Sequence, residues 1–234
     1  MKLLGIDSSG LVASVAVVED DVLQAEYTTN FKKTHSQTLL PMLDEIRNMI
    51  ELDLGSVDAI AVASGPGSFT GLRIGAATAK GLGLALDKPI VEVPTLEGLA
   101  YNLCGTDRLV CPLMDARRNQ VYTGIYEFAA EAHRMQLKRV KEQCAIEIRE
   151  LAQAVNELGR PVVFLGDGVS VYRDVLSEKI RVPFVFAPAC QNAQRAGSIA
   201  ALGSTYYAEG RWVSAADHQP EYLRKSQAER EREQ

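Results

Sequence analysis

The chain presents the same order of secondary-structure patterns twice, and this duplication constrains its fold more than any other feature. The first copy has three short alternating apolar segments, a helical pattern, a continuous apolar segment and a second helical pattern. They predict strands at 3–7, 12–18 and 22–28, a helix at 36–50, a strand at 57–63 and a helix at 70–86. From residue 108 the order recurs, with strands at 109–114, 121–127 and 135–141, a helix at 146–158, a strand at 162–165 and a helix at 169–177. The chain is therefore predicted to be an α/β protein of two tandem β-β-β-α-β-α domains.

Polar and glycine-rich residues follow equivalent strands in both copies. Asp7 and Asp115 each end a first strand, and Gly65-Pro66-Gly67 and Gly166-Asp167-Gly168 each follow a buried strand. Because strand ends at one edge of a sheet bring polar residues into a common crevice, this arrangement predicts a ligand cleft. Its candidate residues are Asp7, Ser8, Gly65, Gly67, Asp115, Arg117 and Arg118. The pattern resembles the ribonuclease-H-like fold of the actin, sugar-kinase and Hsp70 (ASKHA) superfamily; chance repetition of common α/β elements is the alternative.

The predicted domain boundary lies between the two copies, near residues 95–107. We predict an N-terminal domain at 1–104, a C-terminal domain at 105–213, and an extension at 214–234 that ends in a solvated tail of mixed charges. A helical pattern at 193–209 follows the second copy and can return to pack on the first domain.

Composition argues against several classes of function. The formal net charge is −5, with 25 basic and 30 acidic residues dispersed along the chain, which disfavours independent tight RNA binding. Neither a membrane span nor a signal peptide is recognisable, so we expect a cytoplasmic protein. The cysteines are too widely spaced for a zinc ribbon or a disulfide framework and are predicted to be buried thiols; they are Cys104, Cys111, Cys144 and Cys190.

One segment carries a specific resemblance. Residues 65–75 read Gly-Pro-Gly-Ser-Phe-Thr-Gly-Leu-Arg-Ile-Gly between a predicted strand and a helix, without the spacing of nucleotide-binding loops. Together with four shorter segments it resembles the TsaB (YeaZ-type) family over almost the whole chain. Those segments are Gly5-Ile6-Asp7, His35-Ser36-Gln37, Met114-Asp115-Ala116-Arg117 and Glu221-Tyr222-Leu223-Arg224.

The resemblance implies a non-catalytic scaffold. TsaB proteins are paralogues and essential partners of TsaD, which transfers a threonylcarbamoyl group to adenosine 37 of tRNAs that read codons beginning with A. TsaE, an ATPase, and TsaC, which makes the threonylcarbamoyl adenylate, complete that machinery. The resemblance therefore implies a TsaD heterodimer, a larger complex with TsaE, and only indirect contact with tRNA.

The residues that would carry chemistry are replaced. TsaD proteins have a helix that begins Asn-His-Met-Glu-Gly-His, whose histidines hold a metal; the matching segment here has Thr95 and Leu99 at those positions. Arg117 and Arg118 stand where ATPases of the superfamily have small residues near phosphate, so ATP bound in the cleft would be crowded. The alternative is that the strand-end aspartates only cap turns and the arginines lie in solvent. We therefore assign no catalytic residue, metal or cofactor to this chain, and ATP and metal to its partners. The alternative is an autonomous ATPase of the actin-like superfamily or a metallopeptidase-like enzyme.

The first-domain helices are the candidate partner surface. The helix at 70–86 carries small residues at i, i+4 spacing, and the helix at 36–50 has a wide apolar stripe. Helical glycines reduce helix stability, so close approach of another backbone is expected, either from the partner or from the chain's own sheet. A homodimer can use the same surface when the partner is absent. The candidates are Leu39, Leu40, Leu43, Ile46, Gly71, Leu72, Gly75, Ala76, Ala79 and Gly83.

Overall fold

The computed structural model describes residues 1–31, 34–131 and 134–223, which divide into two compact units. Unit 1 consists of Met1–Gly98 and the segment that begins at Gln194, and unit 2 consists of Leu99–Ala193. The strands are β1 (Lys2–Asp7), β2 (Ala13–Glu19), β3 (Val22–Thr29), β4 (Ala59–Gly65), β5 (Ile90–Pro94), β6 (Leu109–Asp115), β7 (Gln120–Glu131), β8 (Arg134–Glu147), β9 (Val162–Leu165) and β10 (Phe184–Phe186). The α-helices are α1 (His35–Met49), α2 (Phe69–Leu86), α3 (Thr95–Tyr101), α4 (Ile148–Leu158), α5 (Gly168–Lys179) and α6 (Ala196–Ala208).

Unit 1 is built on a mixed sheet in the order β3-β2-β1-β4-β5. Strands β1, β2 and β3 form an antiparallel meander, and β4 and β5 continue the sheet in parallel with β1. Because neighbouring residues of a strand point to opposite faces, β1 contacts helices on both faces of the sheet. Leu4 and Ile6 belong to the apolar core that includes Leu39 and Ile46 of α1. On the other face a Cβ at Gly5 would overlap the main chain of α6, so only glycine permits that close packing.

Unit 2 repeats the strand order, with a mixed sheet β10-β9-β6-β7-β8. Its core joins Leu109 and Leu113 of β6 to Val155 of α4 and Leu176 of α5. Helix α4 ends at Gly159, whose φ of 63° gives the left-handed cap that terminates many helices. Two mixed α/β sheets confirm the predicted α/β class; the ribonuclease-H-like identity of the halves stays a prediction.

The sequence patterns did not predict β5, α3 and β10. These elements have 5, 7 and 3 residues, which is too short for a hydrophobic period to be recognised. For the long helices α1 and α2, the predicted ends agree with the observed ends to within one residue.

The two units divide between Gly98 and Leu99, within the range 95–107 given by the sequence, and α6 packs on the sheet of unit 1. This helix is apolar around most of its circumference and buries Ile199, Ala200 and Gly203. Unit 1 is therefore discontinuous in sequence, and the predicted second domain at 105–213 ends earlier, at Ala193. The predicted charged tail at 224–234 lies outside the described residues. Across the described part of the chain, no helix has both the length and the apolar character needed to cross a membrane.

Candidate functional site

The loop between β4 and α2, which carries the family-like motif, is held by the chain's own backbone. Gly65 has a φ of 128°, and a Cβ there would overlap the carbonyl oxygen of Glu221. A Cβ at Gly67 would overlap the carbonyl oxygen of Ser9, which accepts a hydrogen bond of 2.7 Å from the Ser68 N–H. These glycines are therefore accounted for by backbone packing within unit 1.

The small residues of α2 also face the chain itself. A Cβ at Gly71 would overlap the carbonyl oxygen of Ser8, and one at Gly75 would lie 2.5 Å from the Ser8 Oγ. A Cβ at Gly83 would lie 2.7 Å from the Cβ of Ala215. Ala79 is buried in the same core as β1. The sequence left open whether this stripe meets a partner or the chain's own sheet, and the structure places it against the chain.

Nine of the ten predicted partner-binding residues on α1 and α2 are buried within the chain and are not available to a partner in this structure. Leu40 is 54% exposed, whereas the other candidates on these two helices are buried. Hydrophobic periodicity identifies residues that share a helix face, but it does not say which neighbour covers that face. The buried candidates are Leu39, Leu43, Ile46, Gly71, Leu72, Gly75, Ala76, Ala79 and Gly83.

A different stripe of α2 is open. Ala77 and Gly81 are exposed, a Cβ at Gly81 would have no atom within 4 Å, and Leu84 is 64% exposed. Thr70 and Arg73 continue the stripe towards the start of the helix. Positions three and four apart lie on one side of a helix, so these residues form a continuous exposed helix face. We use the name exposed helix face for Thr70, Arg73, Ala77, Gly81 and Leu84.

The turn after β1 contains a buried carboxylate. Asp7 Oδ1 accepts hydrogen bonds from the Ser9 N–H (2.9 Å) and the Ser9 hydroxyl (2.6 Å). Burial raises the pKa of Asp7 to about 6, against the opposing effects of the Ser9 bonds and of His35. His35 Nε2 lies 2.9 Å from the Gly10 carbonyl oxygen. The carboxylate thus stabilises its own turn, as strand-end aspartates commonly do.

The equivalent turn of unit 2 contains an aspartate in a similar role. Asp115 Oδ1 accepts hydrogen bonds from the Arg117 N–H (2.9 Å) and the Tyr172 hydroxyl (3.1 Å). Burial, with help from Asp115, raises the pKa of Tyr172 to about 12. Arg117, Arg118 and Asn119 have φ values of 62°, 55° and 59°, and both arginine side chains are exposed. The structure groups Asp7, Ser8, Gly65 and Gly67 in unit 1 and Asp115, Arg117 and Arg118 in unit 2. A common cleft stays a prediction.

Thr95 and Leu99, which the resemblance matches to histidines of TsaD, have other interactions in this structure. The Thr95 hydroxyl accepts a hydrogen bond of 3.1 Å from the Gly65 N–H, and Leu99 is buried. Within residues 1–31, 34–131 and 134–223, no three His, Cys, Asp or Glu side chains are grouped to hold a metal. His133 lies outside the described residues. The cysteines differ from expectation, since Cys104 and Cys190 are exposed.

Residues 211–223, which we call the C-terminal strap, have an arrangement that the sequence did not predict. Val213 pairs with Ile90 as an antiparallel bridge, and His218 Nδ1 lies 2.6 Å from Glu92 Oε1. The Glu221 N–H donates to the Ser64 carbonyl oxygen at 2.7 Å. The strap has no helical or strand period, and its one signal was the family-like Glu221-Tyr222-Leu223.

Comparisons with known proteins first define the class. Residues 23–232 match the family described as tRNA N6-adenosine threonylcarbamoyltransferase, TsaD. A ROK hexokinase from Thermus thermophilus has a TM-score of 0.50 at 13% identity, over 89% of this chain and 100% of its own. That likeness shows the fold alone: the molecule is an α/β protein with two mixed sheets of the same strand order.

Nearer relatives define the family. The tRNA threonylcarbamoyladenosine biosynthesis protein TsaB of Bacillus subtilis is 34% identical over 98% of this chain and 96% of its own length. The structure of YeaZ from Pseudomonas aeruginosa has a TM-score of 0.78 at 27% identity, over 95% of this chain and 99% of its own. The chain belongs to the TsaB family.

Proposed function

We propose that this chain is a non-catalytic subunit required for the formation of N6-threonylcarbamoyladenosine in tRNA, and that it activates a catalytic paralogue of the TsaD type. One observation carries the non-catalytic part. The chain matches the transferase family, yet Thr95 and Leu99 stand at the positions that the resemblance matches to the metal-binding histidines of TsaD. The Thr95 hydroxyl is bonded to the Gly65 N–H, and Leu99 is buried. A protein that retains the fold without these ligands is suited to act through a partner.

The exposed helix face is the surface we assign to that partner. It combines small and apolar residues, Ala77, Gly81 and Leu84, that let a second helix approach closely. Leu40 adds an exposed apolar side chain on the neighbouring α1. Helices packed from both proteins would bury these residues, and a second copy of this chain would do so when the paralogue is absent.

The remaining partners follow from the same proposal. TsaC and TsaE complete the cytoplasmic machinery, and ATP and metal are bound by the partner subunits. The net charge of −5 supports indirect contact with tRNA, because phosphate binding requires concentrated positive charge.

Reconstitution tests the proposal. Threonylcarbamoyl transfer to tRNA is measured with TsaC, TsaD and TsaE, with and without this chain. We expect modification to require the chain, and Ala77→Trp to weaken TsaD binding by about 10-fold or more because the bulky ring holds the helices apart. Val171→Trp, at a residue 56% exposed on α5, is the matched control. Modification that proceeds equally well without the chain, or magnesium-dependent ATP turnover by the chain alone that is lost in Asp7→Asn, would overturn the proposal.

A further inference from the structure

The C-terminal strap follows α2 along its length, in the opposite direction. Ala215 lies against Gly83 near the end of the helix. One turn earlier, the Lys80 ammonium donates hydrogen bonds to the carbonyl oxygens of Ala216 (2.8 Å) and His218 (3.1 Å). The strap then reaches the first turn of α2, where its last described residues lie.

This path leaves one side of α2 uncovered. Gly71 and Gly75 face Ser8 in the turn after β1, while Ile74 and Leu82 pack on the apolar core to which α1 contributes. Lys80 and Gly83 mark the flank occupied by the strap. The remaining side is the exposed helix face, so the strap forms one border of the surface assigned to the partner.

At the first turn of α2, the strap contributes an aromatic side chain to that border. The rings of Tyr222 and Phe69 lie 4.8 Å apart, and the Arg73 guanidinium lies 4.0 Å from the centre of the Phe69 ring. Arg73 Nε also donates to the Tyr222 hydroxyl at 3.4 Å. Tyr222 is nevertheless 40% exposed, and Arg73 is exposed as well.

The strap is anchored before it reaches this point. His218 is buried and bonded to Glu92, and this hydrogen bond holds the pKa of the Glu92 carboxyl below its usual range. The Glu221 main chain is hydrogen-bonded to Ser64 and packs on Gly65. Tyr222 is thus presented from a fixed backbone, which lowers the entropic cost of using it in binding.

We propose that the C-terminal strap completes the partner-binding surface, with Tyr222 and Arg73 as specificity-determining residues that the catalytic paralogue contacts. The proposal rests on the function proposed above. Arg73 belongs to both the exposed helix face and the Tyr222 cluster, so the two surfaces are continuous. Tyrosine and arginine are the residue types that contribute most to protein interfaces. Within the described residues Arg73 has no carboxylate partner, so we expect the paralogue to offer a carboxylate or carbonyl oxygen there.

The affinity of the intact chain for its TsaD-type paralogue, measured by calorimetry, tests the proposal. We expect Tyr222→Ala to weaken binding by about 10-fold or more, and Tyr222→Phe, which keeps the ring, to weaken it less. Trp212→Ala is the matched control, since Trp212 is 51% exposed at the opposite end of the strap. Arg73→Met is a second variant, which keeps an apolar stem and removes the charge. Melting temperatures of all variants show whether the fold is intact.

The outcomes separate this proposal from the one on which it rests. Normal binding by both Tyr222→Ala and Arg73→Met, with weakened binding by Ala77→Trp, overturns the role of the strap alone. Normal binding by all three variants overturns the partner surface as a whole. Weakened binding by Tyr222→Ala at an unchanged melting temperature supports the strap proposal. Normal binding by Tyr222→Ala overturns it even when Arg73→Met binds weakly, because Arg73 also belongs to the exposed helix face.

Discussion

At the scale of single residues, the buried Asp7 shows how a strand-end aspartate can serve the fold. Its carboxylate accepts two hydrogen bonds from Ser9, but it is almost entirely removed from solvent. Burial disfavours the charged form more than these bonds favour it, which is why the pKa rises from 3.8 to about 6. The folded state therefore binds this proton more tightly than the unfolded state, and the contribution of Asp7 to stability falls as pH rises from 4 to above 6.

We predict that Asp7→Asn is at least as stable as the unmodified chain at pH 8, by up to about 3 kcal/mol. The amide oxygen still accepts from Ser9 while the charge is removed. The advantage should disappear towards pH 4, where the unmodified carboxyl is protonated in the folded state. Melting temperatures of both proteins across this range provide the measurement. If the difference in stability between Asp7→Asn and the unmodified chain were the same at pH 8 as at pH 4.5, the explanation would be contradicted.

At the scale of elements, α2 shows that glycines in one helix can have opposite consequences. Gly71 faces the backbone of the turn that follows β1, and a Cβ there would overlap the Ser8 carbonyl oxygen. Gly81 lies on the exposed helix face with open space beside it. The sequence period could place the small residues on one side of the helix, but it could not assign that side to the chain's own backbone.

Alanine substitutions at these two positions should therefore have opposite signs. Gly71→Ala is expected to destabilise the protein by about 1–3 kcal/mol, because the methyl group has to displace a backbone carbonyl. Gly81→Ala should stabilise it by about 0.5–1 kcal/mol, because alanine is a better helix former and nothing opposes its side chain. Urea unfolding of the two variants compares them directly. Equal effects at both sites would show that the packing of Gly71 has been misinterpreted.

At the scale of the whole molecule, the discontinuity of unit 1 is the main finding. Helix α6 covers the face of its sheet that includes Gly5, and the C-terminal strap pairs with β5 through Val213 and Ile90. Both elements come from the far end of the chain. Unit 2, by contrast, has its sheet, helices and apolar core within Leu99–Ala193.

This organisation predicts how fragments behave. Residues 99–193 should fold alone and melt cooperatively, because they contain a complete core. Residues 1–98 should not, since one face of their sheet would be exposed to water. Joining residues 194–223 to 1–98 through a short linker should restore a cooperative transition. Circular dichroism during heating measures all three fragments, and cooperative melting of 1–98 alone would refute the role assigned to α6.

Local sequence patterns were sufficient to predict much of the architecture and part of the candidate site. The alternation and helical periods predicted the order of the main strands and helices in both copies. The replacement of metal ligands by Thr95 and Leu99 was also visible in the sequence. These features depend on residues close together in the chain, where covalent geometry sets which side chains share a face.

Tertiary structure alone decided which of those faces are covered. Gly71 meets Ser8, Gly65 meets Glu221, and Lys80 meets the carbonyl oxygen of His218. Each pair joins segments that are far apart in sequence. A hydrophobic period within one element cannot predict such a contact. The sequence allowed α6 to return to unit 1 and the small stripe of α2 to pack on the chain itself, but only the folded structure decided both points. The C-terminal strap emerged from the structure alone, because burial is a property of contacts between elements.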